Sequence, residues 1–186
     1  MLVLIVICII TFLDQLTKIL VTHRIVHFEI VPVVPGFFNL AHVHNTGAAF
    51  SMFHDSNLPL AAFSTLVLIV LVIFRRRIIS GPLPHRLAMA MVIAGIIGNL
   101  LDRIKYASVV DILDFYSGVH HFPTFNIADS SICIGVVMYV VSAFFERQHG
   151  EGRGDSSTGN DVATSGPCGT TAGQLEANND SSLHNA

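Results

Sequence analysis

The sequence has little charge. Only 12% of its 186 residues are Asp, Glu, Lys or Arg, whereas 52% are hydrophobic. Soluble domains carry about 25% charged residues, so this shortage argues against a soluble protein and favours a small membrane protein. The net charge of −3 is mild, and basic residues do not cluster with aromatic ones, so we expect no nucleic-acid partner.

Several signatures of site chemistry are also missing. Three scattered cysteines, Cys8, Cys133 and Cys168, make neither a disulfide framework nor a CxxC metal site. The histidine pairs at 42/44 and 120/121 lack HExxH spacing, so we expect no metal site. The chain has no GxSxG elbow of serine hydrolases. None of its apolar runs contains the GxGD motif of the aspartyl proteases that cut transmembrane helices, since the one GxGD sequence, at 152–155, lies in the polar tail.

The chain does have four apolar runs long enough, or nearly so, to cross a membrane, which takes about 20 residues. They cover residues 2–21, 58–79, 86–101 and 127–145. The first run has no basic flank or A-x-A site and contains Asp14 and Lys18, so we interpret it as a span and not as a cleaved signal peptide. The prediction is a mainly α membrane protein with four transmembrane helices.

The loop between the second and third runs holds most of the arginines, which orient the chain. Arg75, Arg76, Arg77 and Arg86 place that loop in the cytoplasm by the positive-inside rule. Both termini are then cytoplasmic, and the segments 23–57 and 102–126 lie outside.

The outer segment 23–57 contains short apolar stretches interrupted by Pro32, Pro35 and Gly36, which predict a small β-sheet at the membrane surface. Residues 147–186 are rich in Gly, Ser, Thr, Asn and Asp and have no aromatic side chain, which predicts a disordered cytoplasmic tail after a transmembrane domain at 1–146.

Polar residues inside the spans are costly and so are candidate functional residues. Asp14 and Lys18 lie four apart, on one helical face, and can pair. A charge at the bilayer centre costs about 2.5–3.5 kcal/mol, so such residues usually face a bundle interior. Two alternatives stay open: the pair anchors the helix at the membrane interface, or it is the intramembrane relay of a small transporter or channel.

The third run ends in a second polar group. Gly95 and Gly98 permit close helix approach, and Asn99 and Arg103 then point into a packed, partly wet interior. Asp102, like Arg103, has an alternative interpretation as an interface anchor.

Asp111 and Asp129 lie at the outward ends of consecutive spans, where folding can bring them together. Two close carboxylates cannot both ionise easily, so one keeps a proton, as in aspartic proteases. Taken singly, Asp129 can be a helix cap and Asp111 a solvated loop carboxylate. Asp114 is a third candidate without a comparable partner motif.

Five motifs come in an order and spacing that resembles bacterial lipoprotein signal peptidase, or signal peptidase II. They are DQLTK (14–18), NTGAAFS (45–51), GNLLDRI (98–104), VVDILDF (109–115) and FNIADSS (125–131). The resemblance implies a multi-pass enzyme of the bacterial inner membrane, with four spans and a small periplasmic sheet. It implies an aspartyl endopeptidase that removes the signal peptide from prolipoproteins, cutting before a diacylglyceryl-modified cysteine, in contact with membrane lipid and without metal or organic cofactor.

Carried over by motif, the resemblance implies that Asp111 and Asp129 are catalytic and that the active site faces the periplasm. The implied substrate-binding or supporting residues are Asp14, Lys18, Asn45, Gly47, Asn99, Arg103 and Asn126. The chain departs from the family at Ala107, where glycine is common, and at Ile112, where phenylalanine is common. We expect both changes to tune packing without loss of activity.

Overall fold

The computed structural model describes residues 1–47, 57–76 and 81–151, with side chains as far as Glu146. Residues 48–51 of the NTGAAFS motif and residues 152–186 of the predicted tail lie outside the described residues.

Among the described residues, four long helices correspond to the four apolar runs. They are α1 (Leu2–Arg24), α2 (Asn57–Ile73), α3 (Leu83–Tyr106) and α4 (Ile127–Glu151). Three of them are long and apolar enough to cross a membrane, and α2 is a shorter apolar helix of 17 residues. The third span is longer than the predicted 86–101, because the polar residues after Leu101 continue the same helix.

The helices are apolar outside and polar inside. Among the described residues, α2 buries no side chain, and α1 buries only Asp14, Lys18 and Val21. Large apolar side chains are exposed around the bundle, Phe12 and Phe63 among them. Lipid is the solvent that suits this arrangement, because it covers the apolar exterior and the backbone groups within each helix are bonded to one another.

Glycines bring α3 and α4 into close contact, as predicted for Gly95 and Gly98. A Cβ atom on Gly98 would lie 2.6 Å from Asp14 Oδ2 and 3.2 Å from Ala128 Cβ. A Cβ atom on Gly95 would collide with the α4 backbone at Ala128. Small residues therefore let the polar side chains of one helix reach the next.

The two predicted outer segments join in one antiparallel sheet beside the helix ends. Its order is β1-β2-β3-β4, formed by β1 (Ile30–Val34), β2 (Phe38–Asn45), β3 (Val109–Ser117) and β4 (His120–His121). The predicted breaks at Pro35 and Gly36 are confirmed, because β1 ends at Val34 and β2 begins at Phe38. Pro32 does not end β1: it pairs with Asn39, and the register shifts between Pro32 and Val34. An edge strand tolerates proline because one side of it needs no N–H donor.

Ala107 ends α3 in a left-handed conformation. Its φ is 55°, and its N–H donates to the Arg103 carbonyl at 3.1 Å. Glycine is the residue that adopts this C-cap conformation without a Cβ penalty. The departure from the family at this position therefore has a conformational cost.

We predict that Ala107→Gly stabilises the protein by about 1 kcal/mol, because it removes left-handed strain. Thermal unfolding in detergent measures the change, which corresponds to about 2–4 °C for a chain of this size. The control is Ala62→Gly on the exposed face of α2, which should destabilise by about 0.5–1 kcal/mol. Equal destabilisation by both substitutions would contradict the prediction.

Candidate active site

Asp111 and Asp129 line the same pocket, where the sheet meets the C-terminal end of α3 and the N-terminal end of α4. The pocket has a volume of about 530 Å³. β3 presents Asp111, which is only 1% exposed, and the first turn of α4 presents the partly buried Asp129. Four other residues of the predicted site line the pocket: Asn45, Gly47, Asn99 and Arg103.

Asn126 connects the two carboxylates. Its side-chain Nδ2 donates to Asp111 Oδ1 at 2.9 Å, and its backbone N–H donates to Asp129 Oδ2 at 3.3 Å. In return, Asn126 Oδ1 accepts the backbone N–H of Asp129 at 2.9 Å. The reciprocal pair is a capping box at the start of α4. Asp129 thus caps a helix and faces the pocket at once, so the two interpretations of this residue are compatible.

Two further asparagines complete the donors to the pair. Asn99 Nδ2 donates to Asp129 Oδ1 at 2.7 Å, and Asn45 Nδ2 donates to Asp111 Oδ2 at 3.1 Å. Each carboxylate oxygen of the pair therefore accepts one hydrogen bond from an asparagine. These amides fix the orientation of both acids, because an amide N–H can only donate.

Two hydrogen bonds fix the position of Gly47, the last described residue before position 48. Its N–H donates to Asn45 Oδ1 at 3.0 Å, and its carbonyl accepts from Arg103 Nη2 at 3.0 Å. The second Arg103 nitrogen, Nη1, is buried without a hydrogen-bond partner in the described part of the chain. Within the described residues, Arg103 therefore keeps one unpaired donor nitrogen, and the charges of Asp129 and Asp111 act on the same guanidinium.

Asp14 and Lys18 lie beneath the pocket and support it. Lys18 Nζ lies 2.9 Å from Asp14 Oδ2, 2.8 Å from Asp102 Oδ2 and 3.2 Å from Asn99 Oδ1. Asp14 Oδ1 accepts the N–H of Ala128, in the first turn of α4, at 2.9 Å. The interface-anchor alternative for Asp14 and Lys18 is wrong, because they are 0% and 2% exposed.

Burial sets the proton affinity of Asp111. Its pKa is raised to about 7, first by desolvation and then by the charge of Asp129. Hydrogen bonds from Asn45 and Asn126 and the charge of Lys18 oppose the rise. At neutral pH the proton is therefore available to be donated or withdrawn, as a carboxyl group needs for acid catalysis. The solvated-loop alternative for Asp111 is wrong.

Two members of the supporting network, Gln15 and Asp102, are not among the predicted site residues. Asp102 is 1% exposed, so its interpretation as an interface anchor is wrong. It accepts from Gln15 Nε2 at 3.0 Å and from the Val110 N–H at 3.2 Å, besides its ion pair with Lys18. The signal was present, since Asp102 follows Asn99 by three residues on the polar face of α3.

The histidines of β2 form a hydrogen-bonded chain outside the pocket. His42 bonds the Ile25 carbonyl at 2.8 Å and His44 Nε2 at 3.3 Å, and His44 Nδ1 bonds Ser108 Oγ at 2.8 Å. Burial, followed by the neighbouring His27 and His42, lowers the pKa of His44. Among residues 1–47, 57–76 and 81–151, no group of three or more His, Cys, Asp or Glu is arranged to hold a metal ion.

Comparison with known protein families gives one match over most of the chain. A family model described as signal peptidase (SPase) II matches residues 6–145. A lipoprotein signal peptidase of Desulforapulum autotrophicum is 40% identical over 144 residues, which cover 75% of this chain and 89% of that protein. A lipoprotein signal peptidase of Maridesulfovibrio salexigens is 41% identical over 137 residues, covering 71% and 88%.

Two solved structures share the fold. Both are bacterial membrane enzymes determined by the in meso method, at 2.3 Å and 1.9 Å resolution. The first has a TM-score of 0.71 and 26% identity and covers 88% of this chain and 94% of its own. The second has a TM-score of 0.67 and 29% identity and covers 76% and 91%.

We predict that Lys18→Met destabilises the folded protein by about 3–5 kcal/mol, because it leaves two buried carboxylates without their cation. Denaturant unfolding in detergent measures this loss. The chain's only other lysine, Lys105, is exposed. Lys105→Met is therefore the matched control, and its effect should stay below about 1 kcal/mol. Similar losses in both variants would contradict the assigned role of Lys18.

Proposed function

Because this chain belongs to the signal peptidase II family and removes signal peptides from prolipoproteins, we propose that it cuts as an aspartyl endopeptidase with Asp111 and Asp129 as its catalytic pair. The observation that carries the proposal is the shared pocket, in which Asn126 bonds both carboxylates. Acids so close to each other share one proton at neutral pH, which supplies an acid and a base in one site.

The roles follow from the surroundings of each acid. Asp111, with its pKa raised to about 7, holds the proton at rest. Asp129 is the base, and its charge is supported by the Asn99 amide and the Asn126 N–H. A water molecule between them loses a proton to Asp129 while its oxygen attacks the scissile carbonyl carbon. Asp111 donates its proton to the carbonyl oxygen in the same step.

Collapse of the tetrahedral intermediate reverses these proton positions. Asp129 gives its new proton to the leaving amide nitrogen, and Asp111 takes the proton back from one hydroxyl of the intermediate. The C–N bond breaks, a carboxylic acid and an amine leave, and the pair returns to its starting state. No group other than the two acids and water is needed for the proton balance.

The pocket suits a peptide that is held at the membrane surface by a lipid. Apolar side chains form much of its lining, including Val109, Phe122, Phe125 and Ile132. We propose that the cut falls before a diacylglyceryl-modified cysteine, whose acyl chains remain in the bilayer. Asn99 and the free Nη1 of Arg103 would bind the peptide backbone beside the scissile bond.

The chain is a multi-pass membrane protein. We propose the predicted orientation, with both termini in the cytoplasm and the pocket on the periplasmic side.

The transporter or channel alternative finds no support in the arrangement of Asp14 and Lys18. Both side chains are buried in a fixed ion-pair cluster and do not line the pocket.

We predict that Asp111→Asn and Asp129→Asn each abolish cleavage of a purified diacylglyceryl-modified precursor, a loss of at least about 10³-fold. Both variants should still insert and fold, since the substitutions keep the size of the side chain. An unmodified precursor is the substrate control, and wild type should leave it uncut. Normal turnover by either variant would contradict the catalytic pair.

The raised pKa of Asp111 predicts a pH dependence. Asp111 must be protonated to act as the acid, so cleavage should decline as pH rises through about 7. Asn45→Ala removes a hydrogen bond that favours the charged form, so the alkaline decline should move to higher pH. The pH profile of kcat measures both effects.

The control for this prediction is Asn39→Ala, which removes a similar amide–carboxylate bond from Asp114. Its alkaline decline should stay at the wild-type pH. A shift to lower pH in Asn45→Ala would mean that Asp111 is not the acid.

A further inference from the structure

Asp114 is a buried carboxylate that the proposed chemistry does not use. It lies on β3 three residues after Asp111 and is only 2% exposed. Its Oδ2 accepts from Asn39 Nδ2 at 2.7 Å, and its Oδ1 bonds His121 Nδ1 at 2.8 Å. A buried carboxylate is costly unless it is fully hydrogen-bonded, so these two partners are what makes the position tolerable.

His121 belongs to a short strand that continues directly into the pocket. β4 has two residues and pairs with β3 through Tyr116↔His121 and Ser117↔His120. The next four residues, Phe122, Pro123, Thr124 and Phe125, all line the pocket. They form one wall of it, which we name the 122–125 wall.

In the part of the chain that the structure describes, backbone hydrogen bonds hold this wall at its two ends, Phe122 and Phe125. The Phe122 N–H donates to the Phe115 carbonyl at 2.8 Å, and Phe125 exchanges backbone bonds with Leu113 at 2.8 and 3.1 Å. Pro123 has no N–H to give. A pairing of two residues is weak by itself. The bond from His121 to the buried Asp114 is therefore a side-chain anchor at the entry to the wall.

We propose that Asp114 is a positioning residue, which acts through His121 to hold the 122–125 wall against the bound signal peptide. This inference rests on the function proposed for the pocket. The anchor does not depend on the charge of His121. A carboxylate can only accept, so Nδ1 carries the hydrogen in both the neutral and the protonated ring. Tyr116 stacks on the same ring with centroids 5.1 Å apart and restricts its orientation.

The anchor should affect substrate binding more than chemistry, because Asp114 and His121 do not line the pocket. His121→Phe keeps an aromatic ring on Tyr116 but removes the bond to Asp114. We expect KM for a diacylglyceryl-modified precursor to rise about tenfold, the equivalent of one charge-assisted hydrogen bond. The value of kcat should stay within about twofold of wild type.

Two variants separate the anchor from a general effect on the strand. His121→Asn places an amide N–H near the position of Nδ1, so it should restore most of the wild-type KM. His120→Phe changes the neighbouring exposed histidine of β4 in the same way, and it should leave KM unchanged.

Amide hydrogen exchange tests the anchor without any substrate. The N–H groups of Phe122 and Phe125 should exchange faster in His121→Phe than in wild type, His121→Asn or His120→Phe. This measurement keeps its meaning if the proposed catalytic pair is wrong, because it uses the free protein. Wild-type exchange in His121→Phe, an unchanged KM, or a fall in kcat alone would each overturn the proposal.

Discussion

One buried ammonium group holds the polar interior of this protein together. Lys18 Nζ has three hydrogens, and it meets Asp14, Asp102 and Asn99 at 2.8–3.2 Å. These contacts join α1 to α3, and the second oxygen of Asp14 extends the network to the start of α4. Asp14, Lys18 and Asp102 are at most 2% exposed, so the loss of one charged partner would leave another buried charge unpaired.

The pocket acids depend on that network. Asn99 accepts from Lys18 on one side of its amide and donates to Asp129 on the other. The same Asn99 oxygen accepts from Asn126 at 3.2 Å, and Asn126 bonds Asp111. The positions of the two acids that we propose as the catalytic pair are thus determined by a chain of contacts from the Lys18 ammonium through the amides of Asn99 and Asn126. Such a preorganised site keeps its geometry before the substrate arrives.

Sequence patterns predicted the helices well and the polar contacts only in part. Long apolar runs identify spans, but the apolar pattern stops at Leu101 while α3 continues to Tyr106, because polar residues there face buried partners. The proximity of Asp111 and Asp129 was expected from their predicted positions at the outward ends of consecutive spans. Their connection through Asn126 did not, since side-chain orientation depends on packing between elements.

The hydrogen bonds of Asp114 could not be predicted from the sequence for the same reason. Its partner Asn39 is 75 residues away, on a strand whose register no local motif predicts. Pro32 and Ala107 are local cases in which propensity was overridden. The open edge of β1 accepts a proline, and the end of α3 holds an alanine at a positive φ of 55°. In each case tertiary structure decided against the intrinsic preference.

The central claim is that Asp111 and Asp129 share one proton at neutral pH. Infrared difference spectroscopy of the carboxyl C=O stretch, recorded for wild type and Asp111→Asn between pH 5 and 9, tests it most directly. A shared proton predicts a protonated carboxyl band in wild type that disappears as pH rises through about 7 and that is absent from the variant. A wild-type spectrum with no protonated carboxyl at pH 6, or an identical band in Asp111→Asn, would contradict it.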